Sequence, residues 1–270
     1  MKDTIIALAV QNSICGMYKD NLAKCIDLTN KACNKGAQIV LFPEMNLTGY
    51  ASDKKILSIA RSLSTKLMNT LQTISTNRSI TILAGLAHKE KNNKIYASHF
   101  AIMPDKSFFI YKKTHLAPPE KHYLSQGNKI KTAQLKSKNL HFGIQLCYDA
   151  HFPQLSTQMA VKGTDLIMIP HASPRGSSKE KYKSWIRHLK ARAFDNGIYI
   201  AACNQTGNNG NGLSFPGIAI VISPDGKVIS KYTENKEGLL VAKLSGELLD
   251  NIRSHQMKYF LPHRRDELYS

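Results

Sequence analysis

No apolar run in this chain approaches the roughly 20 residues needed to cross a bilayer, which excludes a membrane-spanning helix. Linkers are missing as well. Gly and Pro number only 16 and 10 in 270 residues, and no Ser/Gly/Pro-rich stretch or break in composition divides the chain. That excludes a fibrous or disordered protein and points to one domain over residues 1–270. Acidic residues are scarce: 19 Asp and Glu stand against 37 Lys and Arg, a net charge of +18. Such an excess raises nucleic acid, an anionic membrane surface or an acidic substrate as partners. The lysines are dispersed, however, as KDN, KEKNNK, KIK, KSK and KEKYK. A nucleic-acid reader gathers them on one helix or interleaves them with aromatics, so this pattern argues for a solvated basic surface.

Cysteine is equally uninformative as a staple. Cys15, Cys25, Cys33, Cys147 and Cys203 are odd in number and contain no CxxC pair. Free thiols in a reducing cytoplasm are expected. The run in MKDTIIALAVQNS is broken by Gln11 and Asn12, too soon for a signal-peptide core. Cys147 and His151 have i, i+4 spacing but no second ligand pair, so no metal is expected.

What is present is a hydrophobic set of 42% of residues, enough for a sizeable core. Thr4–Val10 reads as a strand, Asn21–Asn34 as an amphipathic helix, and Ala37–Phe42 as a buried strand stopped by Pro43. Ile59, Leu63, Leu67, Leu71 and Ile74 recur at helical spacing, which predicts one helix. Ser79–Leu86, Ile95–Met103 and Ser107–Tyr111 read as three consecutive strands. From Lys112 to Ile130 the pattern fails, and a polar loop of that length inside a compact domain is usually functional or disordered. Order resumes with a strand at Leu140–Leu146, a helix near Pro153–Lys162, a strand at Asp165–Ile169 and a helix over about Lys179–Asp195. Ile198–Ala202, Gly217–Ile222, Lys227–Tyr232 and Leu239–Lys243 complete the strands, the middle two joined by a turn at SPDG. The expectation is an α/β fold, with mixed sheets covered by helices. The Gly/Asn-rich NQTGNNGNG lacks phosphate-loop spacing, so no nucleotide site is read there.

Three stretches place a reactive side chain just past a hydrophobic strand, where open sheets build sites. Glu44 in LFPEMNLTGY follows so apolar a run that desolvation should raise its pKa. Lys113 in YKKTHL would present a cation at the mouth of a sheet. Cys147 in GIQLCYDAHFP stands at a strand-to-turn junction, where backbone N–H groups and a cation are expected to lower its pKa. Each alone has a bland reading: a surface carboxylate, a solvated lysine, a small core hydrophobe. Together they supply a nucleophile, a proton acceptor and a cation for an oxyanion, without histidine.

LFPEMNLTGY, KKTHL and GIQLCYDAHFP, in that order, resemble the three signatures of the nitrilase superfamily of carbon–nitrogen hydrolases. IPHASPRG, ARAFDNGIYIAACNQTG and LSFPGIAIVISPDG are similar to its bacterial amidase-like members. The resemblance implies a four-layer αββα sandwich, no cofactor, and subunits that pair as a homodimer or higher homo-oligomer through helices beside the cysteine. It implies Glu44 as general base and acid, Lys113 as oxyanion-holding cation, Cys147 as nucleophile, and Glu120 as a second glutamate orienting Lys113. The Tyr148 backbone N–H would share the oxyanion. Cys-Tyr-Asp resembles the amidase and carbamoylase branches, so the substrate implied is a small linear amide or N-carbamoyl compound. A true nitrilase, or a silent relative binding an acidic partner, are the rival readings. His151 stands where the branch acting on dicarboxylic monoamides has arginine, which leaves a neutral or amine-bearing substrate equally open. His171, His115, Tyr50 and Tyr123 are candidate pocket walls, because they lie in or beside the strand-end loops.

Overall fold

Alternation along Thr4–Val10 (β1) divides its side chains between two cores. Ile6, Leu8 and Val10 join one buried cluster, whereas Ala7 and Ala9 join another. A strand whose two faces are both covered reads as a continuous apolar run, and each large side chain removed from water contributes about 1.5–3 kcal/mol. The computed structural model describes residues 1–268.

After β1 the chain forms α1 (Tyr18–Asn34), β2 (Ile39–Leu41), α2 (Lys55–Ile59), α3 (Thr65–Arg78), β3 (Thr81–Lys89), β4 (Ile95–Ile102) and β5 (Phe108–Lys112). A long segment holding a 3₁₀ turn at Pro118–His122 leads to β6 (Thr132–Leu135) and β7 (Leu140–Ile144). A second 3₁₀ turn, Cys147–His151, precedes α4 (Pro153–Val161), β8 (Leu166–His171), α5 (Ser178–Asn196) and β9 (Tyr199–Asn204). The small hairpin β10 (Thr206–Asn208) and β11 (Ser214–Pro216) follows, then β12 (Ala219–Ile222), β13 (Val228–Tyr232), β14 (Gly238–Leu244) and α6 (Gly246–Arg253).

The strands assemble into two six-stranded sheets, ordered β14-β1-β2-β3-β4-β5 and β13-β12-β9-β8-β7-β6. Each has a parallel centre, β1-β2-β3 and β7-β8-β9, flanked by antiparallel strands. The sheets face each other: the buried Cys203 thiol of β9 lies 3.7 Å from the Leu41 carbonyl of β2. Leu28 and Ala32 of α1 with Leu67 and Leu71 of α3 cover the outside of the first sheet. Leu155 and Met159 of α4 with Trp185 and Leu189 of α5 pack with the second. Mixed sheets between helical layers are what the sequence led us to expect.

The single helix read across Ile59 to Ile74 is corrected. Ile59 ends α2, Ala60 is extended (ψ 138°), and Arg61 pairs with Ala87 and Lys89 of β3 through its N–H and carbonyl. The Ser64 hydroxyl then accepts the Leu67 N–H and starts α3 afresh. The stripe therefore serves two cores, Ile59 the first and Leu67 and Leu71 the second. The long helix α5 begins at a capping box, where Ser177 Oγ accepts the Glu180 N–H and Glu180 accepts that of Ser177. It stops at Gly197, whose φ of 58° suits a left-handed cap. Sequence reading missed β6, the β10–β11 hairpin and α6, all short and only partly apolar.

Candidate active site

β2 ends at Leu41, and Pro43 turns the chain so that Glu44 crosses to the second sheet. Its N–H donates to the His171 carbonyl (3.3 Å), and its own carbonyl accepts the side-chain amide of Gln205 (2.8 Å). The carboxylate is 1% exposed. Oε2 accepts the Ala172 N–H at 3.1 Å and Oε1 accepts Lys113 Nζ at 2.8 Å. Burial pushes the pKa of Glu44 up to about 7 against the pull of Lys113, with the charge of Glu120 adding to the rise.

Lys113 leaves the end of β5 with its N–H still on the Ala97 carbonyl of β4 (2.9 Å), so the strand aims the side chain. Its ammonium is 1% exposed and donates at 2.8 Å to both Glu44 and Glu120. Burial disfavours that charge, but the two carboxylates outweigh it and hold the pKa well above the ordinary lysine value. Glu120 is 1% exposed. It belongs to the 3₁₀ turn of the long loop, where Oε1 also accepts the Tyr50 hydroxyl (2.9 Å) and Oε2 the Ala117 N–H (2.8 Å). The loop closes on itself at Gly127, whose N–H donates to the Lys113 carbonyl (2.7 Å). A Cβ there would sit 2.3 Å from the Lys112 carbonyl oxygen, so only glycine fits.

Cys147 opens the turn after β7 with φ of 43°, a left-handed value that costs a non-glycine residue about 1–3 kcal/mol. Asp149 holds the strained turn. Its Oδ2 accepts the Leu146 N–H (2.9 Å) and the Tyr111 hydroxyl (2.8 Å), while Oδ1 accepts the Thr114 hydroxyl and the His115 N–H (both 2.8 Å). The lysine-bearing segment and the cysteine-bearing turn are thus strapped together by one fully buried carboxylate. The Ala172 N–H that serves Glu44 also favours the Cys147 thiolate. The expectation of a lowered thiol pKa is corrected. Burial raises it to about 12, Glu44 and Glu120 add to the rise, and Lys113 with the Ala172 N–H only offset it. Desolvation of a thiol that keeps some surface exposure, together with two carboxylates, outweighs one ammonium.

The remaining candidates are placed unequally. Tyr50 is buried and reaches the cluster through Glu120. Tyr123 is partly buried, its N–H on the Glu120 carbonyl (3.0 Å). Tyr148 is partly exposed, its ring edge-on to those of His151 and Phe152. His151 is exposed, its ring 4.7 Å from that of His188, and partial desolvation of the imidazole with nearby Arg192 lowers its pKa. His115 stacks on Phe152 at 3.8 Å. His171 is 3% exposed, bonded to the Ile169 carbonyl and stacked on Trp185, so it backs the site from within the core. Among the described residues no three His, Cys, Asp or Glu side chains are grouped to hold a metal, and no helix is long and apolar enough to cross a membrane. Asp149, Ala172 and Gln205 escaped sequence reading. Only Asp149, two residues after the cysteine, carried a local signal.

Two facing mixed sheets, with a glutamate, a lysine and a cysteine gathered from three strand ends, define a hydrolase of the nitrilase superfamily. The chain belongs to the carbon–nitrogen hydrolase family, whose model matches residues 6–254. It is 28% identical over 255 residues to the nitrilase of Pyrococcus abyssi, covering 92% of each chain. It is also 28% identical to the deaminated glutathione amidase of Synechocystis sp., over 96% of this chain and 97% of that one. Among solved structures, an amidase mutant from Nesterenkonia sp. AN1 superposes with a TM-score of 0.81 at 25% identity, covering 98% of this chain and 95% of the other. That amidase carries the acetamide moiety of fluoroacetamide covalently added at its active-site cysteine.

Proposed function

We propose that the chain hydrolyses a small linear amide or N-carbamoyl compound through a cysteine thioester. The observation that carries this reading is the buried Glu44–Lys113–Glu120 cluster, whose charges all act on the Cys147 thiol. Because desolvation and the two neighbouring carboxylates favour the thiol over the thiolate, deprotonation accompanies attack. Sγ bonds to the carbonyl carbon as Glu44 takes the thiol proton, and the charge passes to the carbonyl oxygen, facing Lys113 Nζ and the Tyr148 N–H. The C–N bond then breaks, Glu44 protonates the nitrogen, and ammonia or an amine departs. Water attacks the thioester while Glu44 accepts its proton; the C–S bond breaks, the acid leaves, and Cys147 is reprotonated. Glu120 orients Lys113 throughout.

Cys-Tyr-Asp and the amidase relatives support amide over nitrile hydrolysis. We further propose that residues 1–270 act as one domain, that subunits pair through α4 and α5, and that the enzyme works in a reducing cytoplasm. The test is an ammonia-release screen across amides, N-carbamoyl compounds, ureas and nitriles. Wild type should turn over amides or carbamoyl compounds, and Cys147→Ala should abolish release without changing the fold. Retained turnover by pure Cys147→Ala protein would reject the reading, and the absence of fast Glu44-dependent alkylation of Cys147 would favour a silent binding relative.

A further inference from the structure

Lys181, in the first turns of α5, is half buried and forms no ion pair. Its ammonium donates to Ser173 Oγ at 2.8 Å and to the Pro174 carbonyl at 3.2 Å, both neutral acceptors. Among the described residues no carboxylate comes within ion-pair distance of it. The adjacent Glu180 is occupied with the N–H and hydroxyl of Ser177. A partly desolvated charge without a counter-ion is costly to keep unless a ligand supplies one.

Its position gives that ligand a place. Ser173 follows Ala172, whose N–H donates to Glu44, and Asn204 clamps Ser173 through both its backbone N–H and its carbonyl, each at 2.9 Å. The ammonium is therefore fixed one residue from the reacting cluster, close enough for Cys147 and His171 each to sense its charge. Glu180 acts on it through its charge but forms no ion pair with it. Asp149 is saturated by Leu146, Tyr111, Thr114 and His115, and His151 and His188 both have lowered pKa values, caused first by burial. The net charge of +18 draws anions toward the molecule.

We infer that Lys181 is a specificity-determining residue that binds a carboxylate at the far end of a linear amide substrate. This rests on the amidohydrolase reading and narrows it to amides that carry an acid group. A charge-assisted hydrogen bond of this kind is worth about tenfold to a hundredfold in binding.

The experiment compares kcat/KM for succinamate and for butyramide, its neutral counterpart of equal carbon count, in wild type, Lys181→Gln and Lys181→Arg. Wild type should prefer succinamate by about tenfold or more. Lys181→Gln should lose about tenfold to a hundredfold on succinamate, chiefly through KM, and stay within about threefold on butyramide, while Lys181→Arg keeps most of the preference. Equal losses on both substrates, or a wild type indifferent to the carboxylate, would overturn the assignment and leave the amidohydrolase reading standing. Silence of wild type on butyramide and every other amide would remove that reading and this one together. Should Lys181→Gln fold poorly, protection of wild-type Cys147 from iodoacetamide by succinamate but not butyramide supports the assignment, and equal protection refutes it.

Discussion

Asp149 accepts the hydroxyl of Tyr111 at 2.8 Å from inside the core, so the strand leading to Lys113 and the turn carrying Cys147 hang on one carboxylate. Its other contacts, to Leu146, Thr114 and His115, complete the strap. Sequence separation between lysine and cysteine is thereby converted into a fixed spatial relation.

Replacing Asp149 with Asn keeps the volume and turns one acceptor oxygen into a donor facing donors. The expected cost is about 2–4 kcal/mol of stability, read by urea unfolding, with a parallel fall in kcat. An unchanged midpoint would mean the strap bears no strain.

Backbone strain at Cys147 is testable apart from chemistry. Cys147→Ala retains a Cβ at φ 43°, whereas Cys147→Gly removes it. Both should be inactive, and the glycine variant should be the more stable by about 1 kcal/mol in denaturant titrations.

With its pKa near 7, Glu44 is protonated in the folded protein at pH values where an ordinary carboxylate, at 4.5, has ionised. Between about pH 4.5 and 7 the folded state therefore binds the extra proton, and the contribution of this group to stability falls as pH rises through that window. In the proposed mechanism activity runs the other way, because the base form is the one that accepts the thiol proton. kcat/KM for a neutral amide should climb with pH along a limb centred near 7, and Glu44→Gln should lose both the limb and most of the rate. A limb near 4.5 would contradict the desolvated site.

Much of the layering could be read from spacing. Thr4–Val10 coincides with its strand, and the apolar runs before Glu44, Lys113 and Cys147 announced that each would stand at a strand end. Helical periodicity failed at Ile59 to Ile74, because Arg61 found strand partners in β3 that no local pattern reveals. His171 was a candidate pocket wall because it lies in or beside a strand-end loop, and its stacking on Trp185 of α5 is a tertiary contact that spacing did not reveal.

Local chemistry and periodicity, which depend on neighbours along the chain, were enough to single out Glu44, Lys113 and Cys147 and the strands that precede them. Their protonation was not. The rise of Cys147 to about 12 and of Glu44 to about 7 comes from burial and from charges separated by tens of residues. The same holds for Lys181, whose lack of a counter-ion emerges only when the sheets pack. Electrostatic energy depends on distance through space and on exclusion of water, and both are set by how the two sheets meet.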